Sequence, residues 1–127
     1  MQTPEGYRKR VKHYDVPGEC HELTFSCYRR KPLITGDLWR EMLSESITSA
    51  SRRHLYQLVA FVYMPEHVHL LVLPRPGASS ISQYLFAVKR PFSFRIKRIL
   101  IDNRSHLLES LTVRQRLGWV ALLACPA

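Results

Sequence analysis

With 127 residues, the chain is long enough for one domain with a hydrophobic core and too short for two. Its hydrophobic content of 46% excludes a disordered protein, and no apolar run approaches the roughly 18 residues that a membrane span needs. Lysine and arginine outnumber acidic residues 19 to 10, a formal net charge of +9, which favours a polyanionic partner: nucleic acid first, an anionic membrane surface second.

The first 18 residues are predicted to be a basic N-terminal arm rather than a folded element. Arg8, Lys9 and Arg10 concentrate its positive charge, and we expect the arm to bind DNA and to become ordered on doing so. No apolar stretch of the signal-peptide type follows these cations, so a cytoplasmic location is expected.

Two predicted elements follow the arm. Residues 19–28 alternate in polarity as a strand does, with Leu23, Phe25 and Cys27 on one face. Residues up to about 53 then carry apolar side chains at helical spacing, and the basic pair Arg52 and Arg53 suits the carboxyl end of a helix.

Residues 55–63 and 67–73 are predicted to form an antiparallel hairpin, because both are apolar and only three residues separate them. The second of these strands carries His67 and His69. Side chains alternate along a strand, so both histidines point to the same face, about 7 Å apart along the chain. Two neutral imidazoles in this arrangement can hold one divalent ion; alternatively, both are surface histidines of a half-buried strand.

A second helix is predicted from the serines of residues 79–82 to about residue 101. Pro91 removes a backbone hydrogen bond, so we expect a kink or break near residues 89–90. Phe92 and Phe94 interleave with basic residues and either stack on unpaired bases or pack the helix onto the sheet. The cations expected to contact phosphates are Lys89, Arg90, Arg95, Lys97 and Arg98.

The order β-α-β-β-α predicts an α+β protein with a ferredoxin-like antiparallel sheet that lacks its last strand. An atypical apolar tail, residues 117–127, ends the chain. We expect this tail either to cover the edge of the sheet as a strand or to leave that edge exposed and prone to association.

The three cysteines, Cys20, Cys27 and Cys125, are odd in number and match no zinc-binding spacing, so reduced thiols are expected. A zinc site built from Cys20, His21 and Cys27 is the alternative. Cys20 and His21 would point to opposite faces of a strand, which argues against that site.

Three segments resemble one known family. Residues 64–71, MPEHVHLL, resemble the metal-binding core of the HUH single-tyrosine transposases. Residues 14–30 are similar to the opening strand of the REP-associated tyrosine transposase branch, and residues 85–98 are similar to its basic second helix. The resemblance stops near Arg116, so we define residues 19–116 as a transposase-like HUH domain. The family's last strand and tyrosine helix are expected to be missing or replaced, through a truncation or a frameshift of a longer gene.

The resemblance implies DNA transposition by metal-assisted cleavage and joining of single DNA strands through a phosphotyrosine link. It assigns one Mg²⁺ or Mn²⁺ ion to His67 and His69, and single-stranded or hairpin DNA as the partner. Two imidazoles need a further oxygen ligand to hold such an ion. Glu66 would point away from the pair in a regular strand, and in the family this ligand often comes from the tyrosine helix.

No tyrosine of this chain is carried over as the nucleophile. Tyr84 is the only one of six tyrosines that follows the histidines, and it precedes the family's position. A core or DNA-stacking aromatic is the alternative for Tyr84. We therefore expect the chain to lack strand-cleaving activity.

Two other functions stay open. A catalytically dead remnant of such a transposase would bind nucleic acid without nicking it. A two-histidine phosphoesterase would need two H-x-S/T motifs, whereas this chain has one H-V-H followed by leucine. The sequence leaves the oligomeric state undecided, with a homodimer as one alternative.

Overall fold

The computed structural model describes residues 18–103 in full and the backbone of three short strands beyond them. The predicted basic arm lies outside these residues except for Gly18, as does most of the apolar tail, so the domain limits stay predictions. The strands are β1 (His21–Cys27), β2 (Tyr56–Tyr63), β3 (His67–Pro74), β4 (Thr112–Val113), β5 (Trp119–Val120) and β6 (Leu123–Ala124), and the helices are α1 (Asp37–Arg53) and α2 (Ile81–Asp102).

The main sheet is antiparallel and has the strand order β2-β3-β1-β6. Its central pair places Leu23 opposite Leu70 and Phe25 opposite Val68. This is a ferredoxin-like sheet, which confirms the predicted fold class. β6 pairs with Ser26 and Cys27 at the β1 edge, where such folds place their last strand. Two residues of the tail therefore stand in the place of that strand.

Both helices cover one face of the sheet. Alternate side chains of β1 and β3 are buried beneath them, because a strand directs every second residue to the same side. α1 and α2 pack against each other, with the ring of Trp39 edge-on to Phe92. The ring of Tyr56 on β2 stacks on the ring of Tyr84 on α2, with centroids 4.3 Å apart. The largest buried side chains include Phe25, Ile34, Leu43, Ile47, Leu70, Ile81, Tyr84, Phe92 and Ile96.

Helix α2 begins at a capping box. The Ser80 hydroxyl accepts a hydrogen bond from the Gln83 backbone, and the Gln83 side chain accepts one from the Ser80 backbone. The helix then continues without interruption through Pro91, so the predicted break near residues 89–90 is wrong. Val88 and Phe92 are both buried on either side of the exposed Pro91, so the turns before and after the proline both pack against the core. In the described residues, no helix combines the length and apolarity needed to cross a membrane.

Candidate functional site

His67 and His69 lie on β3, the strand flanked by both β1 and β2, and on the face opposite the helices. Val68 and Leu70 alternate with them and are buried beneath α1 and α2. The two imidazole rings have centroids 4.7 Å apart and planes at 82°. The histidines therefore share one face, as the alternation predicts, and their rings are in contact.

The ring of His67 contacts a carboxylate. Its Nδ1 atom lies 3.1 Å from Oε1 of Glu66. The expectation that Glu66 points away from the pair is therefore wrong. β3 begins only at His67, so Glu66 belongs to the preceding turn and is not bound by the alternation of the strand.

The ring of His69 is held from the neighbouring strand. Thr24 on β1 is the direct cross-strand partner of His69, and its Oγ1 lies 3.0 Å from Nδ1 of His69. Glu22, two residues earlier on the same face, places Oε1 at 3.5 Å from the same nitrogen. The register between β1 and β3 thus puts a hydroxyl and a carboxylate beside this imidazole.

The carboxylate contact favours one tautomer of His67. An ionised carboxylate only accepts hydrogen bonds, so Glu66 favours a proton on Nδ1 of His67, whereas the Thr24 hydroxyl can donate to Nδ1 of His69 or accept from it. In a neutral imidazole, a proton on Nδ1 leaves the lone pair on Nε2, a form in which histidine binds metal. Within residues 18–103, no protein group hydrogen-bonds either Nε2.

The two histidines could supply some of the ligands of a divalent metal ion. Two imidazole nitrogens can fill two coordination positions, and Mg²⁺ or Mn²⁺ would take oxygen ligands at the others. In the described part of the chain, no group of three or more His, Cys, Asp and Glu residues could hold an ion. The further ligands would come from water, a bound phosphate or residues outside that part.

The pair is partly exposed, with 16% of the His67 side chain and 38% of the His69 side chain accessible. Val62 on β2 is opposite His69 and is exposed, and Ser26 on β1 is opposite His67. The cavities of the described residues are lined mainly by side chains of α1 and α2 rather than by the histidines. A face without a pocket at the histidines suits an extended polymer better than a small molecule, which binds in concave pockets.

Tyr84 belongs to the core. It is fully buried on the helix side of the sheet, and its hydroxyl lies 2.8 Å from Oγ of Ser51. Burial raises the pKa of the Tyr84 phenol, with the Ser51 hydrogen bond acting in the opposite direction. Tyr84, the one tyrosine that follows the histidines in sequence, is therefore not placed as a nucleophile, because the sheet separates its hydroxyl from the histidines.

The five cations predicted on α2 differ in their environments. Arg90 and Arg98 are exposed, whereas the Nη1 atom of Arg95 lies 2.6 Å from Oε2 of Glu45 on α1. Lys89 is half-buried, with Nζ 5.3 Å from the ring centroid of Phe25, and Lys97 is also half-buried. All five lie on the layer opposite the histidines, and the predicted cations Arg8, Lys9 and Arg10 lie outside the described residues.

The phenylalanines of α2 also differ. Phe92 is only 1% exposed and packs on Trp39, so base stacking by Phe92 is wrong. Phe94 is 61% exposed, and Phe86, which the sequence reading did not select, is 57% exposed. The sequence did carry a signal that pairs these two rings: they are eight residues apart, and residues separated by steps of four lie on the same side of a helix.

The alternative zinc site is not formed. Cys27 is buried against the helices, where desolvation raises the pKa of its thiol, whereas Cys20 is exposed. His21 has a buried Nε2 without a hydrogen-bond partner in the described residues. The three side chains that would form the site therefore have separate environments.

Comparison with known proteins gives one family match. The model of the family described as IS200-like transposases matches residues 19–113. Among curated proteins, none matches this sequence.

Two solved structures are similar in fold. A REP-associated tyrosine transposase bound to a REP hairpin has 24% identity and a TM-score of 0.58, over 67% of this chain and 51% of that one. A candidate transposase from Deinococcus radiodurans R1 has 17% identity and a TM-score of 0.59, over 100% of this chain and 87% of that one. The chain thus covers about half the length of the first structure.

Proposed function

This chain belongs to the IS200-like transposase family, and we therefore propose that it is the DNA-binding and metal-binding domain of a transposase that acts in DNA transposition. The observation that carries the proposal is the pair His67 and His69, which share one sheet face with their rings 4.7 Å apart. Both rings have Nδ1 beside oxygen atoms of the protein, and the Glu66 carboxylate favours a free Nε2 on His67.

We assign one Mg²⁺ or Mn²⁺ ion to this pair. When bound, such an ion draws negative charge from the non-bridging oxygens of a phosphodiester. His67 and His69 would hold it through Nε2, and Glu66 and Thr24 would keep the two rings in place. The exposed part of the pair, mainly His69, is where a DNA backbone would approach.

The proposed partner is single-stranded or hairpin DNA. The net charge of +9 favours a polyanion, and arginines of α2 add exposed positive charge. The structurally similar REP-associated transposase binds a REP hairpin, and we extend hairpin DNA to this chain on the strength of the shared fold and family.

Strand cleavage needs a nucleophile beside the histidines. The four tyrosines of residues 18–103 all pack against the core, so none of them is placed for this role: Tyr28, Tyr56, Tyr63 and Tyr84. We therefore propose that these residues bind DNA and metal without supplying the nucleophile. This observation favours a second candidate function, a nucleic-acid-binding protein without cleavage activity.

Two titrations test the proposal. Mn²⁺ binding is followed by electron paramagnetic resonance, and hairpin binding is followed by fluorescence anisotropy. We expect His67→Ala and His69→Ala each to abolish the Mn²⁺ site. His54→Ala is the matched control, because His54 caps α1 and hydrogen-bonds Ser79 away from the pair. Unchanged Mn²⁺ binding in the His67 and His69 variants would refute the metal site.

The catalytic part is tested by incubating the protein with a DNA hairpin and Mn²⁺. A nicked product together with a covalent adduct on a denaturing gel would exclude the second candidate function. Hairpin binding without a nick would support it. A protein that binds neither single-stranded nor hairpin DNA would refute both.

A further inference from the structure

Four residues of α2 form an exposed row on the outer side of the domain: Phe86, Arg90, Phe94 and Arg98. Successive members are four residues apart, so they lie along one side of the helix. We call this row the α2 ridge. The buried side of α2, which includes Val88, Phe92 and Ile96, faces the core. The ridge therefore points away from the sheet and from the histidines.

Aromatic and cationic side chains alternate along the ridge. The guanidinium carbon of Arg90 lies 5.4 Å from the ring centroid of Phe86, within the range of a cation–π contact. Phe86 and Phe94 are eight residues apart, which corresponds to about 12 Å along the helix axis. Two exposed aromatic rings, with one arginine between them and a second beyond Phe94, are the components of a stacking platform for nucleic-acid bases.

The charge around the ridge favours a polyanion over an apolar protein surface. No acidic residue occurs in α2 before Asp102, at the end of the helix. Two carboxylates of α1 lie beside the ridge: Glu41 lines the same groove as Phe94 and Arg98, and Glu45 pairs with Arg95, which is not part of the ridge. An apolar partner would have to desolvate Arg90 and Arg98 to reach the rings, whereas a nucleic acid pairs them with phosphates.

We propose that the α2 ridge binds unpaired nucleotides of single-stranded DNA. Bases stack on Phe86 and Phe94, while Arg90 and Arg98 contact the phosphates. This inference rests on the proposed DNA-binding function and adds a second surface to it. Because the ridge and the histidine pair lie on opposite layers, DNA on the ridge does not occupy the metal-binding face. Anchoring of the strand and binding of the ion are thus separable.

The test uses a short single-stranded oligonucleotide that contains 2-aminopurine, whose fluorescence falls when the base stacks on an aromatic ring. We expect binding to the protein to quench this fluorescence. The double variant Phe86→Ala/Phe94→Ala should lose the quenching and weaken binding by roughly tenfold for each ring. The salt dependence of DNA binding by this variant should equal that of the wild type, because no phosphate contact is lost. Arg90→Gln/Arg98→Gln should instead reduce the salt slope by roughly 0.7 for each contact.

Three controls separate the possible explanations. Phe61→Ala removes a similarly exposed ring, 49% accessible, from β2 and should leave the fluorescence change intact. Phe86→Tyr/Phe94→Tyr keeps the aromatic faces and should bind like the wild type. His67→Ala/His69→Ala should keep the quenching while losing Mn²⁺.

The failures of the two proposals are distinguishable. If the alanine double variant binds and quenches like the wild type while hairpin binding persists, the ridge assignment is wrong and the proposed function stands. If the wild type binds no DNA, both fail. Loss of a dimer in the alanine double variant, measured by sedimentation, would identify the ridge as a contact between copies and would overturn the proposal.

Discussion

Oε1 of Glu66 lies 3.1 Å from Nδ1 of His67, although the two residues are adjacent in sequence and Glu66 precedes the strand. A similar contact reaches His69 from the neighbouring strand, through Oγ1 of Thr24. Each imidazole thus has its own oxygen partner on Nδ1. Partners of this kind orient histidine ligands, and the Glu66 carboxylate also favours the tautomer of His67 whose Nε2 is free for a metal.

Removing the Glu66 carboxylate should alter His67 and leave the fold unchanged. In Glu66→Ala, long-range nitrogen–proton correlation spectra at fixed pH should show that His67 loses its preference for the Nδ1-protonated tautomer. Mn²⁺ affinity should fall by roughly 10- to 100-fold, as is typical of such partners. Glu66→Gln should retain much of the preference, because its amide oxygen still accepts a hydrogen bond.

The matched control for Glu66 is Glu41→Ala, which removes an exposed carboxylate from α1. It should change neither the spectrum of His67 nor the affinity for Mn²⁺. A His67 tautomer that is the same in Glu66→Ala as in the wild type would show that this contact does not orient the ring.

Tyr84→Phe should reduce stability without affecting DNA chemistry. The change leaves the Ser51 hydroxyl, 2.8 Å from the Tyr84 hydroxyl, without its partner in a buried position. The expected loss is about 1–3 kcal/mol in the free energy of unfolding, measured with urea. Adding Ser51→Ala should recover part of this loss, because both polar groups are then absent. A protein–DNA adduct that forms with the wild type and disappears in Tyr84→Phe would contradict our assignment of Tyr84 to the core.

Stability should decline at high pH through the buried tyrosines. Burial raises the pKa of both Tyr84 and Tyr63 above the ordinary value of 10.0. Above that value the unfolded chain ionises its phenols while the folded protein keeps them neutral. The stabilisation is therefore complete below about pH 10 and is lost as the pH rises through the folded-state pKa. Urea midpoints at about pH 8 and about pH 11 should differ less in Tyr63→Phe/Tyr84→Phe than in the wild type. An equal decline would show that these phenols do not cause it.

Arg95 and Arg98 should contribute unequally to DNA binding. The guanidinium of Arg95 is already bound by Glu45, whereas Arg98 is an exposed member of the α2 ridge. Arg98→Ala should therefore reduce the salt slope of binding by about 0.7–0.9, the contribution of one phosphate contact, and Arg95→Ala should reduce it less. Glu45→Gln should tighten binding by releasing Arg95. Equal effects of the two arginine variants in anisotropy titrations would contradict this difference.

Local patterns were sufficient for much of the architecture. The alternation along β3 predicts that His67 and His69 share a face, because the direction of a side chain in a strand depends only on its position along that strand. The short turn of residues 64–66 predicts the hairpin, because three residues are too few for a crossover between parallel strands. The order of the elements then predicts the ferredoxin-like sheet.

Local sequence patterns could not predict the contacts between segments that are distant in the sequence. Thr24 meets His69 only through the register of β1 on β3, and Tyr84 is buried because α2 packs against α1 and the sheet. Phe92 and Phe94 are nearly identical in sequence context, yet one packs on Trp39 and the other is exposed, since the rotation of α2 on the sheet selects which side is buried. Register and helix rotation result from the summed packing of many residues, so they become defined only when the whole domain assembles.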